Sequence, residues 1–170
     1  MNTGLVDISY SLIDAIFTVL DGNVTYLGVT YPVYKSVPKP APSTYVLIDQ
    51  INSIENGTKD FFIYEGTVNI VIVDDKAQRG DKKLAHCILN VVRGLLKPSR
   101  SSVPVLVFGY SADSTLITAD STLITSDNAM VDNGLTCVSF TPGVYNDFME
   151  LSDTGYSRIR LIDQYNFIIN

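Results

Sequence analysis

Apolar positions recur along this chain with two periods, and each period predicts a different element. Over residues 5–20, Leu5, Ile8, Leu12, Ile16 and Leu20, joined by Ile13 and Phe17, fall on one helical stripe. Asp7 and Asp14 lie off its centre, and Asp21-Gly22-Asn23 ends it, with Gly22 suited to a left-handed cap. Residues 24–37 read as extended, interrupted by Pro32, and Pro38, Pro40 and Pro42 then form a stiff connector, since proline fixes φ and lacks a donor. Tyr45 to Ile54 predicts a strand. Asn56-Gly57 predicts the turn of a hairpin.

From Phe61 to Val73 the period becomes two. Phe62, Tyr64, Val68, Ile70 and Ile72 share one face. Glu65, Thr67, Asn69, Val71 and Val73 share the other, and Asp74-Asp75 is expected to end the strand. Asp81 is the candidate N-cap of a second helix. Its apolar face carries Leu84, Ile88, Val91, Val92, Leu95 and Leu96, and Pro98 stops it. Further strands are expected over 103–110, 135–140 and 156–169. In the last of these Ile159, Leu161, Tyr165, Phe167 and Ile169 alternate with Arg158 and Arg160. This order predicts an α+β fold: an antiparallel or mixed β-sheet packed by two helices, in a single domain over 1–170.

Composition adds limits. With 46% hydrophobic and 18% charged residues the chain has enough apolar material for one sizeable core and too few charges for a disordered tail. The frequent Tyr and Phe favour strands. A net charge of −6 argues against a free-standing nucleic-acid binder. The charge is unevenly spread. Residues 76–100 hold Lys76, Arg79, Lys82, Lys83, Arg93, Lys97 and Arg100 against Asp81 alone, whereas 101–157 hold no Lys or Arg and carry Asp113, Asp120, Asp127, Asp132, Asp147, Glu150 and Asp153. Read plainly, this is a solvated helix face followed by acidic loops. Read more sharply, it is a polarised subunit whose basic side meets a neighbour's acidic side, with Lys82, Lys83, Arg93 and Lys97 as contacts.

Chemistry-bearing patterns are sparse. His86 is the single histidine, so any Ser-His-Asp triad would need it, and no G-x-S-x-G elbow accompanies it. Asp74-Asp75 could act as a metal or acid–base pair, although adjacent strand residues point to opposite faces. The glycines are scattered without phosphate-loop spacing. Cys87 and Cys137 read as small buried hydrophobes, with no disulfide framework or zinc pair. No cofactor or bound metal is expected. Residues 1–20 lack a basic leader, and no run reaches ~18 apolar residues, so neither a signal peptide nor a membrane span is expected.

One segment stands apart. Asp113-Ser-Thr-Leu-Ile-Thr-Ala119 is followed at once by Asp120-Ser-Thr-Leu-Ile-Thr-Ser126. Two copies rich in Thr and Ser suit a β-arm better than a coiled coil. An inserted arm or loop is therefore expected over 111–133. Leu116, Ile117, Leu123 and Ile124 would be costly if left in water, so they are candidate assembly contacts.

The order of elements resembles that of the tail-completion, or tail-terminator, proteins of bacteriophages. The residues that carry the likeness are Val33-Tyr34-Lys35-Ser36-Val37-Pro38 followed by Tyr45-Val46-Leu47-Ile48. Glu65 to Ile72, the helix around Ala85 to Leu96, and the closing strand Arg158 to Tyr165 add to it. Thr44 stands where that family usually has Pro, and the duplicated 113–126 segment has no counterpart there. The resemblance implies a non-enzymatic virion protein that forms a ring in the neck of a tailed phage, hexameric or higher. Its expected partners are copies of itself and adjoining neck, portal-side or tail proteins, with non-specific, salt-sensitive contact to DNA in the lumen. The competing readings are a small metal-dependent enzyme using Asp74, Asp75 and His86, and an adaptor without ring symmetry.

Overall fold

The computed structural model describes residues 8–37, 39–56, 63–78, 81–97, 122–124, 130–132, 137–151 and 156–169. Helix α1 (Ile8–Leu20) follows the predicted stripe and buries Ile8, Leu12, Ala15, Ile16 and Leu20. It ends at Gly22, whose φ of 71° takes the left-handed cap. Strands β1 (Thr25–Tyr26) and β2 (Val29–Thr30) form a small hairpin. Its two-residue turn, Leu27-Gly28, has positive φ at both positions, as a type I′ turn requires.

Among the described residues the main sheet has five strands in the order β3-β4-β5-β9-β8. These are β3 (Val33–Tyr34), β4 (Thr44–Glu55), β5 (Tyr64–Gln78), β8 (Cys137–Leu151) and β9 (Tyr156–Ile169). Only β3, which pairs with β4 at Val46 and Leu47, runs parallel to its neighbour, so the sheet is mixed. Helix α2 (Lys83–Leu96) lies beside α1 on one face of this sheet, in contact with β5 and β9. The fold is therefore α+β, with a mixed sheet packed by two helices.

The core lies between the helices and that face. Val46, Ile48, Val68, Ile70, Ile72, Ile159, Leu161, Tyr165, Phe167 and Ile169 meet Leu12, Ile16, Leu20, Ile88, Leu89, Val92 and Leu96. Fully burying each large side chain contributes roughly 1.5–3 kcal/mol. The opposite face has a smaller buried cluster of Tyr45, Leu47, Val71 and Val73, with Tyr34 and Ile162 against it. Both alternating patterns, in β5 and in β9, are thus realised. Lys35, which directly follows β3, pairs with Asp14 on α1 and lies over the Tyr10 and Phe17 rings, 5.4 and 4.7 Å from their centroids. The Val-Tyr-Lys run thereby ties the sheet edge to the first helix.

The structure departs from the sequence expectations in four places. β5 does not end at Asp74-Asp75 but continues to Gln78 through a bulge between Asp74 and Ala77. The bulge tolerates the acids because Asp74 accepts hydrogen bonds from Thr44 Oγ1 at 3.3 Å and Lys76 N at 3.2 Å. Asp81 lies one residue outside the cap position, which Lys82 holds, yet its carboxylate still accepts from Lys83 N at 2.9 Å. The buried face of α2 centres on Ala85, Ile88, Leu89, Val92 and Leu96, leaving Leu84, Val91 and Leu95 half-buried at its margins. Finally, the strand expected to stop at Phe140 continues to Leu151. Its Pro142-Gly143 sits at a bulge between Pro142 and Tyr145, on an edge strand where a missing donor costs no ladder bond.

The strand expected over 103–110, Phe61 and Phe62, the turn beyond Asn56, Pro98, and Leu116 and Ile117 lie outside the described residues. Within 111–133, β6 (Thr122–Ile124) and β7 (Met130–Asp132) pair as an antiparallel ribbon, with Leu123 opposite Val131.

Candidate functional site

The alternation in β9 places Asp163 on the helix-covered face, among apolar residues, where it is 2% exposed. A buried carboxylate needs a partner. Arg93, on α2 and seventy residues away in sequence, supplies one: its Nε and Nη2 donate to the two Asp163 oxygens at 2.9 and 2.6 Å. These hydrogen bonds hold the guanidinium pKa above its ordinary value. The same guanidinium lies 5.6 Å from the centroid of the Tyr145 ring on β8, and His86 meets the other side of this corner, 6.1 Å from Tyr145 between ring centroids. Burial raises the pKa of the Tyr145 hydroxyl.

Beneath this pair, Tyr165 stacks on Phe140 at 4.8 Å. Its hydroxyl is buried and makes no hydrogen bond among the described residues. Asp163 is near enough to act on it electrostatically without hydrogen-bond geometry. Burial, and then that charge, push the Tyr165 pKa well above the usual tyrosine range.

Most other charges near the sheet are also matched within the chain. Lys82 Nζ reaches Asp147 on β8 at 2.8 Å. On the helix-free face, Arg158 binds Asp75 and Arg160 stands 3.9 Å from Glu150. A shallow open depression there is lined by Asp75, Glu150, Leu151 and Arg158. Its Asp75 and Arg158 pair with each other, and its Glu150 stands near Arg160 outside the lining. Among the described residues no three His, Cys, Asp or Glu side chains gather as a metal site.

The candidate contacts from the sequence thus separate. Arg93 and Lys82 are engaged internally, by Asp163 and Asp147. Lys83 is exposed and Lys97 half-buried, at opposite ends of α2, and neither makes an ion pair among the described residues. Leu123 and Ile124 lie on β6.

Sequence reasoning missed the β8 edge. From Thr141 to Leu151 every residue of β8 is exposed, and Val144, Tyr145, Phe148, Met149 and Leu151 put apolar surface into solvent. Such an edge exposes unpaired backbone donors and acceptors as well. The sequence gives little signal for it: the apolar residues come as the adjacent pairs Val144-Tyr145 and Phe148-Met149, without the period of two that marks a half-buried strand.

No protein-family model matches the chain, and no curated protein matches it. Solved structures do. A chain of the "Virion of native gene transfer agent (GTA) particle" is similar to this one, with a TM-score of 0.57 and 17% identity. The likeness covers 96% of this chain and 99% of that one, so the two share a fold from end to end.

Proposed function

We propose that this chain is a structural component of a phage-like virion and acts by assembly, without catalysis. The observation that carries this is the end-to-end fold likeness to a chain of a gene transfer agent virion. The site geometry supports it: the charged groups around α2 and β9 are spent on internal pairs, while the free features are an apolar strand edge and unmatched charges at the rim.

At finer grain, the reading is a ring in the neck of a tailed phage, in the head–tail connector or tail-completion region. The resemblance in the Val33–Pro38 and Tyr45–Ile48 segments supports this, as does a sheet whose two outer strands differ in character. Subunits join side by side, and the 111–133 arm reaches adjoining rings. Deleting the gene from a producing strain and imaging the particles tests the placement. Filled heads and tails that fail to join, or tails of uncontrolled length, are the expected result. Intact particles would refute it.

A further inference from the structure

The sheet carries two unlike open edges. At one end, β8 has no strand on its outer side among the described residues. At the other, β4 is covered by β3 only at Val46 and Leu47, and beyond its bulge residues 52–55 are exposed, Ile54 at 72%, with Ile51 half-buried. Four antiparallel strands separate one edge from the other, so β8 and β4 run in opposite directions. Parity then has a consequence. When β8 of one copy lies against β4 of the next, the pair is antiparallel and both sheets keep the same sense. Such a head-to-tail contact leaves one free edge at each end and closes only as a ring.

We infer that the occupant of the β8 edge is a second copy of this chain, through its β4 segment Ile51–Glu55. This rests on the ring reading above and specifies its contact. Faces and charges agree. A register that sets Asp147 opposite Ser53 places Met149 opposite Ile51, both on the helix side of their sheets. It sets Phe148 diagonal to Ile54, both on the helix-free side and within reach of an aromatic ring. Asp147 is already neutralised by Lys82. The same register sets Glu55, which makes no ion pair among the described residues, opposite Tyr145 on the helix side, where α2 begins at the exposed Lys83.

At the ~150–250 Å² an aromatic can bury, the exposed half of Phe148 and third of Tyr145 offer on the order of 150–200 Å². A stable interface needs roughly 800 Å² per partner, so these two rings supply part of it and the paired backbones and flanking Val144, Met149 and Leu151 must supply the rest.

The test is cross-linking between copies of the full chain. The variant Asp147→Cys with Ser53→Cys, both at exposed positions, is concentrated and treated with a short bis-maleimide, beside each single variant and the parent protein. The double variant should give a ladder of trimers and larger species, and the singles and parent should not. A second variant, Phe148→Lys, should fold with parent-like circular dichroism and, added to the double variant, reduce the ladder at least several-fold. A double variant that stays monomeric, or a ladder that stops at dimers and appears with Asp147→Cys alone, overturns the inference. Failure here with the protein present in purified particles would sink only the edge contact. A ladder from a protein absent from particles would sink only the virion reading.

Discussion

Replacing Arg93 with Ala separates an internal anchor from a surface contact. The Asp163 carboxylate is 2% exposed and takes two hydrogen bonds from that guanidinium. Removing the guanidinium leaves an uncompensated buried charge, which in fully buried pairs costs about 3–5 kcal/mol. The Arg93 side chain is 41% exposed, so water already screens part of the interaction. We therefore expect a loss of about 2–3 kcal/mol, below the range for a fully buried pair. For a chain of this size, with about 2–4 °C per kcal/mol, the melting temperature should fall by roughly 5–10 °C. Urea denaturation at neutral pH measures the loss. Replacing both partners, Arg93→Met with Asp163→Leu, should recover most of it, because the buried charge goes with its partner. A single Arg93→Ala variant within ~0.5 kcal/mol of the parent would refute the reasoning and return Arg93 to the role of an assembly contact.

Three further outcomes follow from the structure. Gly66→Ala should cost about 1–3 kcal/mol by denaturation, because a Cβ there would run into the Asn52 carbonyl on β4 and meet Phe167 Cζ at 2.8 Å; an unchanged midpoint would contradict it. Tyr165→Phe should be neutral or stabilising by up to about 1 kcal/mol, since the buried hydroxyl has no hydrogen-bond partner among the described residues. The raised folded-state pKa keeps the parent's Tyr165 protonated while the unfolded chain ionises near pH ~10, so the parent loses stability as pH rises above that point, and the Phe variant should lose less. Changing Leu116, Ile117, Leu123 and Ile124 to Ser should leave the purified protein folded by circular dichroism and abolish its incorporation into particles; unfolding would show that the segment belongs to the core.

Much of the fold was legible because one buried face imposes a period. β9 is the clearest case: inward Ile159, Leu161, Tyr165, Phe167 and Ile169 alternate with outward Arg158 and Arg160, and the structure follows that alternation. The same alternation marks Asp163 as inward, yet its partner lies on another element, and no local pattern joins residues seventy positions apart. Arg93 reads as solvent-facing because charge alone is visible in a sequence. The lower half of β8 escaped for the opposite reason. As an edge strand it buries little, so Pro142-Gly143 and Asn146-Asp147 are tolerated there and mimic a loop. The candidate site was thus the least legible part, since it consists of what the core leaves open.

Quantitative mass spectrometry of particles purified from the producing cells decides whether this chain is built into a virion. The expected result is the chain in those particles at a low, fixed copy number, six or a small multiple per particle, set by one ring. A chain absent from particles and found only free in the cell lysate would rule the virion role out.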